Sequence, residues 1–253
     1  MKILLSPTKK MKEDRDSLCP ASLPACLSKT RQILDFLRGL DGPALQKLWG
    51  CNDSIAEQNL LRLRDMDLEA QLTPAILAYE GIAFQHMAPT VFSDREMQYV
   101  QDHLRILSGF YGVLKPLDGI RSYRLEMQAR APVAGCRDLY EFWGRDLYEG
   151  SRDESGIFLN LASKEYYQCI SRYLTPEDTF ITCTFGETVG GKIHQKATYA
   201  KMARGEMVRY LAELDADRPE QMQGFDRLGF SFQPQLSTHE EYVFLRNREE
   251  TQD

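Results

Sequence analysis

The stretch Phe180–Phe185, which reads FITCTF, bears most directly on the fold because it is the clearest strand candidate in the chain. β-Branched and aromatic residues fill it, and such residues favour a pleated surface that is at least half buried. Shorter apolar runs at residues 3–5 and 157–159 predict two more buried strands, and residues 230–232 and 242–245 predict two late ones. Strands are thus predicted in both the first and the last parts of the chain.

Helices are predicted between these strands. Residues 93–96, Ser-Asp-Arg-Glu, form a capping box that is expected to open a helix running to about Leu107. Because helices and strands follow one another without regular alternation, the predicted fold class is α+β (mixed α/β), a single compact irregular domain over residues 1–253. The other main helices are predicted over residues 28–39, 43–49, 53–66, 163–173 and 197–211.

Composition excludes several classes of protein. The chain has 253 residues, of which 43% are hydrophobic, and this is enough for a sizeable core. No apolar stretch approaches the ~20 residues that span a bilayer, and the opening residues do not resemble a signal segment, so a cytoplasmic protein without membrane contact is expected. The six cysteines form neither a C-x-x-C pair nor a zinc-ligand spacing, which predicts reduced thiols, no metal and no cofactor.

The charge is distributed unevenly along the chain. The formal net charge is −6, and residues 211–253 account for all of it, with 4 basic and 10 acidic side chains. Residues 190–210 carry five Lys or Arg side chains against one Glu. Because salt screens electrostatic fields beyond about 8–10 Å, a local basic surface can attract phosphates on a protein that is acidic overall. The acidic C-terminal portion therefore does not exclude a nucleic-acid partner.

A glycine-rich segment, Gly186–Ile193, matches the G-x-x-x-x-G-K part of a phosphate-binding loop. Ile193 stands where such a loop needs a hydroxyl for Mg²⁺, which argues against ATP hydrolysis. The favoured interpretation is a hairpin that pairs residues 182–185 with residues 192–194 across a glycine turn.

The segment Leu104–Met127 combines basic, aromatic and glycine residues. Gly109 and Gly112 bracket a tight turn where the backbone could approach a partner closely. Basic groups interleaved with aromatic rings suit a nucleic-acid strand, although a buried turn with surface arginines is the simpler alternative. Asp118 and Glu126 could perform acid–base chemistry or, more ordinarily, cap turns. Familiar catalytic signatures are missing from the sequence, which favours a binding protein over an enzyme.

Several of these stretches resemble the YaaA family of bacterial peroxide-stress proteins, and the resemblance extends over nearly the whole chain. The matching motifs are Ser6-Pro7 with Lys9, Tyr79-x-Gly81-x-x-Phe84, Leu104-Arg105-Ile106-Leu107-Ser108-Gly109-x-Tyr111-Gly112-x-Leu114, Pro116-Leu117-Asp118, Tyr123-Arg124-Leu125-Glu126-Met127, Leu139-Tyr140-x-Phe142-Trp143-Gly144, Asn160-Leu161-Ala162-Ser163-x-Glu165-Tyr166, Ala200-Lys201-x-Ala203-Arg204-Gly205-x-Met207 and Phe244-x-Arg246.

The resemblance implies a role in limiting iron-driven DNA damage during hydrogen peroxide stress. It also implies a mixed α/β body with a positively charged cleft and a helix-hairpin-helix-like element, which would be the turn Ser108–Gly112. The expected partner is double-stranded or distorted DNA, bound without sequence specificity by a monomer. The DNA-binding residues it suggests are Lys9, Arg105, Ser108, Gly109, Tyr111, Gly112, Lys115, Arg124, Lys201, Arg204 and Arg246.

Two other hypotheses stay open on the sequence. The same polar residues could form the pocket of an enzyme acting on a small phosphorylated or nucleotide substrate, with Lys9, Tyr123, Arg124 and Glu126 as binding or catalytic groups. Direct sequestration of iron is the weaker alternative, because the sequence has no His, Cys and carboxylate cluster at ligand spacing.

Overall fold

The apolar runs predicted as strands lie side by side in one mixed sheet in a computed structural model, which describes residues 1–246. Residues 3–5 and 158–160 are almost fully buried because helices cover the centre of this sheet. The strands are β1 (Lys2–Leu5), β2 (Lys10–Met11), β3 (Thr73–Pro74), β4 (Tyr79–Glu80), β5 (Leu104–Ser108), β6 (Gly112–Leu114), β7 (Gly119–Ile120), β8 (Ile157–Asn160), β9 (Thr179–Val189), β10 (Lys192–His194), β11 (Phe230–Phe232) and β12 (Glu241–Arg246).

The helices begin where the sequence supplies N-terminal caps. Asp41, Asn52 and Asp138 each accept a hydrogen bond from a first-turn N–H, and Ser93 and Glu96 form the predicted capping box. The helices are α1 (Leu27–Arg38), α2 (Gly42–Trp49), α3 (Asp53–Arg64), α4 (Ala75–Ala78), α5 (Ile82–Met87), α6 (Asp94–His103), α7 (Leu139–Trp143), α8 (Asp146–Ser151), α9 (Lys164–Ser171) and α10 (Ala197–Leu214).

The main sheet has the strand order β11-β12-β9-β8-β1-β5-β6, and β10 pairs with β9. Neighbouring strands from β12 to β5 are parallel, whereas β11, β6 and β10 run antiparallel to their partners. Two small antiparallel pairs, β2 with β4 and β3 with β7, lie outside this sheet. The predicted mixed α/β class is confirmed.

The direction of the chain reverses between β1 and β8, which are neighbours in the sheet. From β1 the chain crosses to β5 on one side, and from β8 it crosses to β9 on the other. The loops that follow β1 and β8 therefore diverge and leave a crevice at the carboxyl ends of these strands. In open α/β sheets such a switch point is the usual place for a ligand.

The helix expected to continue to Leu107 ends at His103, because residues 104–108 form β5 instead. Every residue of β5 is buried, and Leu104, Arg105 and Ile106 pair with β1. The hydrogen bonds and burial offered by the sheet outweigh the helical preference of the segment.

The predicted glycine hairpin is present with a different register. Residues 187–189 pair with residues 192–194, and Gly190 and Gly191 both have positive φ, as a tight hairpin turn requires. Residues 182–186 pair with β12 instead, so part of the acidic C-terminal portion belongs to the main sheet. Residues 247–253 of that portion lie outside the described residues.

Candidate functional site

A cavity of about 460 Å³ lies at the switch point between β1 and β8. The loop after β1 contributes residues 5–10, and the segment after β8 contributes Leu161, Ser163, Glu165 and Tyr166. The remaining walls come from residues 80–83, from residues 123–126 and from two side chains of α10. The cavity is of the size and position of ordinary small-molecule or single-nucleotide sites.

Within residues 1–246, five cationic side chains from separate parts of the chain line this cavity. Two of them are paired at the rim: Lys9 Nζ lies 2.7 Å from Glu126 Oε1, and Lys10 Nζ lies 2.9 Å from Glu80 Oε1. Four of the five were predicted as DNA-binding residues, and the structure brings these four together. The five cations are Lys9, Lys10, Arg124, Lys201 and Arg204.

Unlike Lys201 on the same helix, which is exposed, Arg204 is half-buried. Its Nε atom is buried and has no hydrogen-bond partner within residues 1–246, and burial lowers the pKa of the guanidinium. The Nε atom of Arg204 is buried because α10, which carries this residue, packs closely on α5. A Cβ on Gly205 would overlap the carbonyl oxygen of Ala83 and lie 2.8 Å from its carbonyl carbon. The absent side chain lets α10 come close enough to carry Arg204 into the wall.

Three carboxylates from residues 1–246 line the same cavity, and the first of them, Glu80, pairs with Lys10. Glu126 pairs with Lys9, and Glu165 Oε1 accepts a hydrogen bond of 3.3 Å from the backbone N–H of Gln128. Burial, reinforced by the nearby charge of Glu126, raises the pKa of Glu165, although the Gln128 hydrogen bond and Lys9 oppose this shift. Glu126 and Glu165 therefore offer acceptor oxygens to N–H or O–H donors in the cavity.

A chain of buried hydroxyl groups extends inward from the cavity. Tyr123, which lines the wall, has its hydroxyl 2.6 Å from Ser108 Oγ and 2.9 Å from the hydroxyl of Tyr79. Burial raises the pKa of Tyr123 to about 12, so the network is neutral at physiological pH. Ser108 Oγ also accepts the backbone N–H groups of Phe110 and Tyr111. These bonds fix the position of Tyr123.

The turn Ser108–Gly112 is not the helix-hairpin-helix element expected there. It joins the antiparallel strands β5 and β6, and Ser108, Phe110 and Tyr111 are fully buried. A Cβ on Gly109 would lie 3.0 Å from the backbone of residues 125–127, and Gly112 combines a φ of +80° with close contact to the ring of Trp143. Ser108, Gly109, Tyr111 and Gly112 therefore support the core behind the cavity and do not line it.

Arg105, Lys115 and Arg246 also lie outside this cavity. Arg105 is only 7% exposed, and its guanidinium donates to the carbonyl oxygens of Gln101 and Leu104. Arg246 stacks 4.1 Å from the ring centroid of Tyr199, and its guanidinium lies 3.7 Å from Glu187. Lys115 is exposed. Because Arg105 is buried in β5 and its guanidinium is already bonded to backbone carbonyls, it is not available to a DNA phosphate.

Asp118 takes the turn-capping role. It accepts hydrogen bonds of 2.6 Å from Ser22 Oγ and 2.8 Å from the backbone N–H of Lys115. Glu126, by contrast, lies at the cavity, so the two carboxylates do not act as a pair.

Sequence reasoning missed the contribution of Ser163, Glu165 and Tyr166 to the wall. Ser6 Oγ accepts the backbone N–H of Ser163 at 2.8 Å, which ties the loop after β1 to the start of α9. The available signal was their position directly after a predicted strand, as for Ser6. No group of three or more His, Cys, Asp or Glu side chains arranged for a metal occurs in the described part of the chain. Within residues 1–246, no helix has the length and apolar character needed to cross a membrane.

These features define a mixed α/β protein with a cation-lined cavity at the switch point of its sheet. A family model described as "Peroxide stress protein YaaA" matches residues 1–236, and the chain belongs to this family. Proteins named "UPF0246 protein" from Agathobacter rectalis and Lachnoclostridium phytofermentans are 55% and 48% identical to it over 97% and 100% of this chain, and over 99% of each relative. A third, from Desulfitobacterium hafniense, is 47% identical over 97% of this chain and 98% of its own length. The family description supports a role in peroxide stress.

Proposed function

We propose that this protein serves the peroxide stress response by binding DNA without sequence specificity, and that it thereby helps limit iron-driven DNA damage. The observation that carries the proposal is the convergence of Lys9, Lys10, Arg124, Lys201 and Arg204 on one cavity. Lys and Arg side chains neutralise backbone phosphates without reading the base sequence.

The cations of the cavity divide by their partners. Lys9 and Lys10 are held by Glu126 and Glu80, so their attraction for phosphate is partly offset. Lys201 is exposed, and Arg204 has a buried donor without a partner in the described residues. Arg124 donates its Nε–H to the carbonyl oxygen of Trp49 at 3.4 Å. Lys201 and Arg204 are therefore the groups through which an incoming phosphate gains most.

The hairpin formed by β9 and β10 extends the basic surface beyond the cavity. Strand β10 and the two residues after it lead directly into α10. This segment carries three exposed basic or imidazole side chains, Lys192, His194 and Lys196. Lys196 is paired with Glu187 at 2.8 Å. A two-stranded ribbon of this kind fits the major groove of DNA, and its cations would contact the flanking phosphates.

Fluorescence anisotropy tests the proposal with matched duplex, bubble and single-stranded DNA over a salt series. We expect submicromolar binding at low salt, a steep salt dependence and a preference for the bubble. Lys201→Gln should weaken binding to all three DNAs similarly and reduce the slope of log K against log salt by about 1.

Arg95→Gln is the matched control, because Arg95 is 76% exposed, pairs with Asp215 and lies outside the cavity. It should leave both the affinity and the salt slope unchanged. If Lys201→Gln behaves like Arg95→Gln, or if no DNA binds at 50 mM salt, the proposal is wrong.

A second candidate function is catalysis on a small phosphorylated or nucleotide substrate in the same cavity. The specific observation in its favour is Glu165, a half-buried carboxyl group with a raised pKa beside a cavity of substrate size. Incubation of the protein with nucleotides, followed by chromatography of the products, tests it. Turnover that disappears in Glu165→Gln would support an enzyme, and unchanged nucleotides would count against it.

A further inference from the structure

The geometry points to a ligand for this cavity that is more specific than a phosphate backbone: one phosphorylated nucleoside unit, with its phosphate on Arg204 and Lys201 and its donor groups on Glu126 and Glu165. This inference deepens the proposed function and shares its site. The unit is chemically the same whether it is a free nucleoside monophosphate or a nucleotide turned out of distorted DNA.

The size of the cavity is the first argument. A sphere of 460 Å³ is about 10 Å across, which accommodates one nucleotide and excludes a duplex. A duplex carries its phosphates on the outside, so its backbone can contact the rim but cannot fill the interior. A single unit that leaves the stack can enter.

The second argument is that the cavity has two chemically different ends. On one wall, Glu165 accepts the backbone N–H of Gln128, two residues beyond Glu126, so Glu126 and Glu165 lie on adjoining segments. Lys201 and Arg204 lie on a different wall, on α10, which packs closely on α5. The two carboxylates thus form an end that accepts N–H and O–H donors, while Arg204 and Lys201 form an end that binds anions.

The third argument is the unmet donor on Arg204. A buried guanidinium N–H without an acceptor costs free energy in the protein alone. Arg204 lines the cavity, so a phosphate there can bind its guanidinium, and Nε gains an acceptor if the side chain shifts towards that phosphate.

The two aromatic rings of the wall suit the rest of the unit. Tyr123 and Tyr166 are each 7% exposed and line the cavity. Each ring exposes only a small part of its surface, so it offers a rigid apolar contact to a base or a sugar at little cost in side-chain entropy. Hydrogen bonds from its hydroxyl group to those of Ser108 and Tyr79 hold Tyr123 in place.

Calorimetric titration of the full-length protein with the four deoxynucleoside 5′-monophosphates tests the inference. The matching deoxynucleosides and inorganic phosphate are titrated in parallel. We expect at least one monophosphate to bind about tenfold or more tightly than either of its parts, because both ends of the cavity are then engaged. The same nucleotide should compete with bubble DNA for the protein.

Arg204→Lys keeps the positive charge but removes the planar guanidinium, which can donate two hydrogen bonds to one phosphate. The affinity for the monophosphate should therefore fall at least about tenfold. Thermal unfolding of the variant checks that its fold is intact. Glu165→Gln should lower the affinity for the monophosphate and leave the affinity for inorganic phosphate unchanged. This difference would show that the carboxylate end and the phosphate end of the cavity act separately. Arg95→Gln should change neither.

The outcomes separate this inference from the proposed function. If DNA binds and depends on Lys201 while no monophosphate binds or competes, the single-unit inference is wrong and the proposed function stands. If a monophosphate binds and depends on Arg204 while no DNA binds, the inference holds for a free nucleotide and DNA binding is wrong. Competition between the two supports both. Failure of both ligands overturns both.

Discussion

Replacement of Gly205 by alanine tests how the packing of α10 on α5 builds the cavity. The ideal Cβ would overlap the carbonyl oxygen of Ala83 and lie 2.8 Å from its carbonyl carbon and 3.0 Å from the backbone nitrogen of Met87. All three atoms belong to the backbone of α5, so no side-chain rotation can relieve the overlap. The two helices must separate by on the order of 1 Å to bring the Ala83 oxygen out to the shortest tolerable contact.

The expected result is a loss of stability even though alanine is the better helix former. Helix propensity alone favours the substitution by about 1 kcal/mol, while overpacking of this kind costs about 1–3 kcal/mol or more. Because the clash involves rigid backbone, we expect a net loss of about 1–2 kcal/mol in the free energy of unfolding, measured by urea denaturation. DNA affinity should also fall, since residues 81–83 and Arg204 form two walls of the cavity.

Gly150→Ala is the matched control. Gly150 also lies in a helix, α8, and its Cβ would meet only the side chain of Val113 at an ordinary 3.7 Å. This variant should be as stable as the wild type or more stable by up to about 1 kcal/mol. If Gly205→Ala is equally stable, the close approach of α10 and α5 does not set the wall of the cavity and the reasoning is wrong.

Three further predictions concern the core and the pH dependence of stability. Gly112→Ala should cost roughly 2–4 kcal/mol in urea unfolding, because it combines a φ of +80° with a Cβ 2.9 Å from the ring of Trp143; a loss below about 1 kcal/mol would contradict this. Tyr123→Phe should lower the free energy of unfolding by about 1–3 kcal/mol, because Ser108 and Tyr79 each lose a hydroxyl partner. In a double-mutant cycle with Tyr79→Phe the two effects should be non-additive. Strict additivity would show that the hydroxyl groups act independently. Although burial opposes ionisation, hydrogen bonds from Thr175, Tyr148 and Arg152 lower the pKa of Asp178 to about 2. The ionised carboxylate should therefore contribute about 2 kcal/mol to the free energy of unfolding. This contribution is complete above pH ~4 and is lost as the pH falls towards 2. Urea unfolding of wild type and Asp178→Asn between pH 6 and pH 2.5 measures it, with the two curves expected to converge at low pH; curves that stay parallel would refute the assignment.

Local patterns in the sequence were sufficient for most of the secondary structure. The apolar runs at residues 3–5 and 157–159 became β1 and β8, and the capping box at Ser93 and Glu96 opens α6 as predicted. These features depend on neighbours within a few residues, whose periodicity and hydrogen bonds are visible in the chain itself. The family motifs likewise identified the YaaA resemblance, which the comparison over residues 1–236 confirms.

The tertiary structure decided which of the predicted cations meet. Lys9, Arg124, Lys201 and Arg204 share a cavity because β1 lies beside β8 and α10 packs on α5, whereas Arg105 is buried in β5. The same packing made the turn Ser108–Gly112 a support for the core. Strand order and helix depth depend on contacts between segments that are distant along the chain, and no local spacing of residue types encodes them.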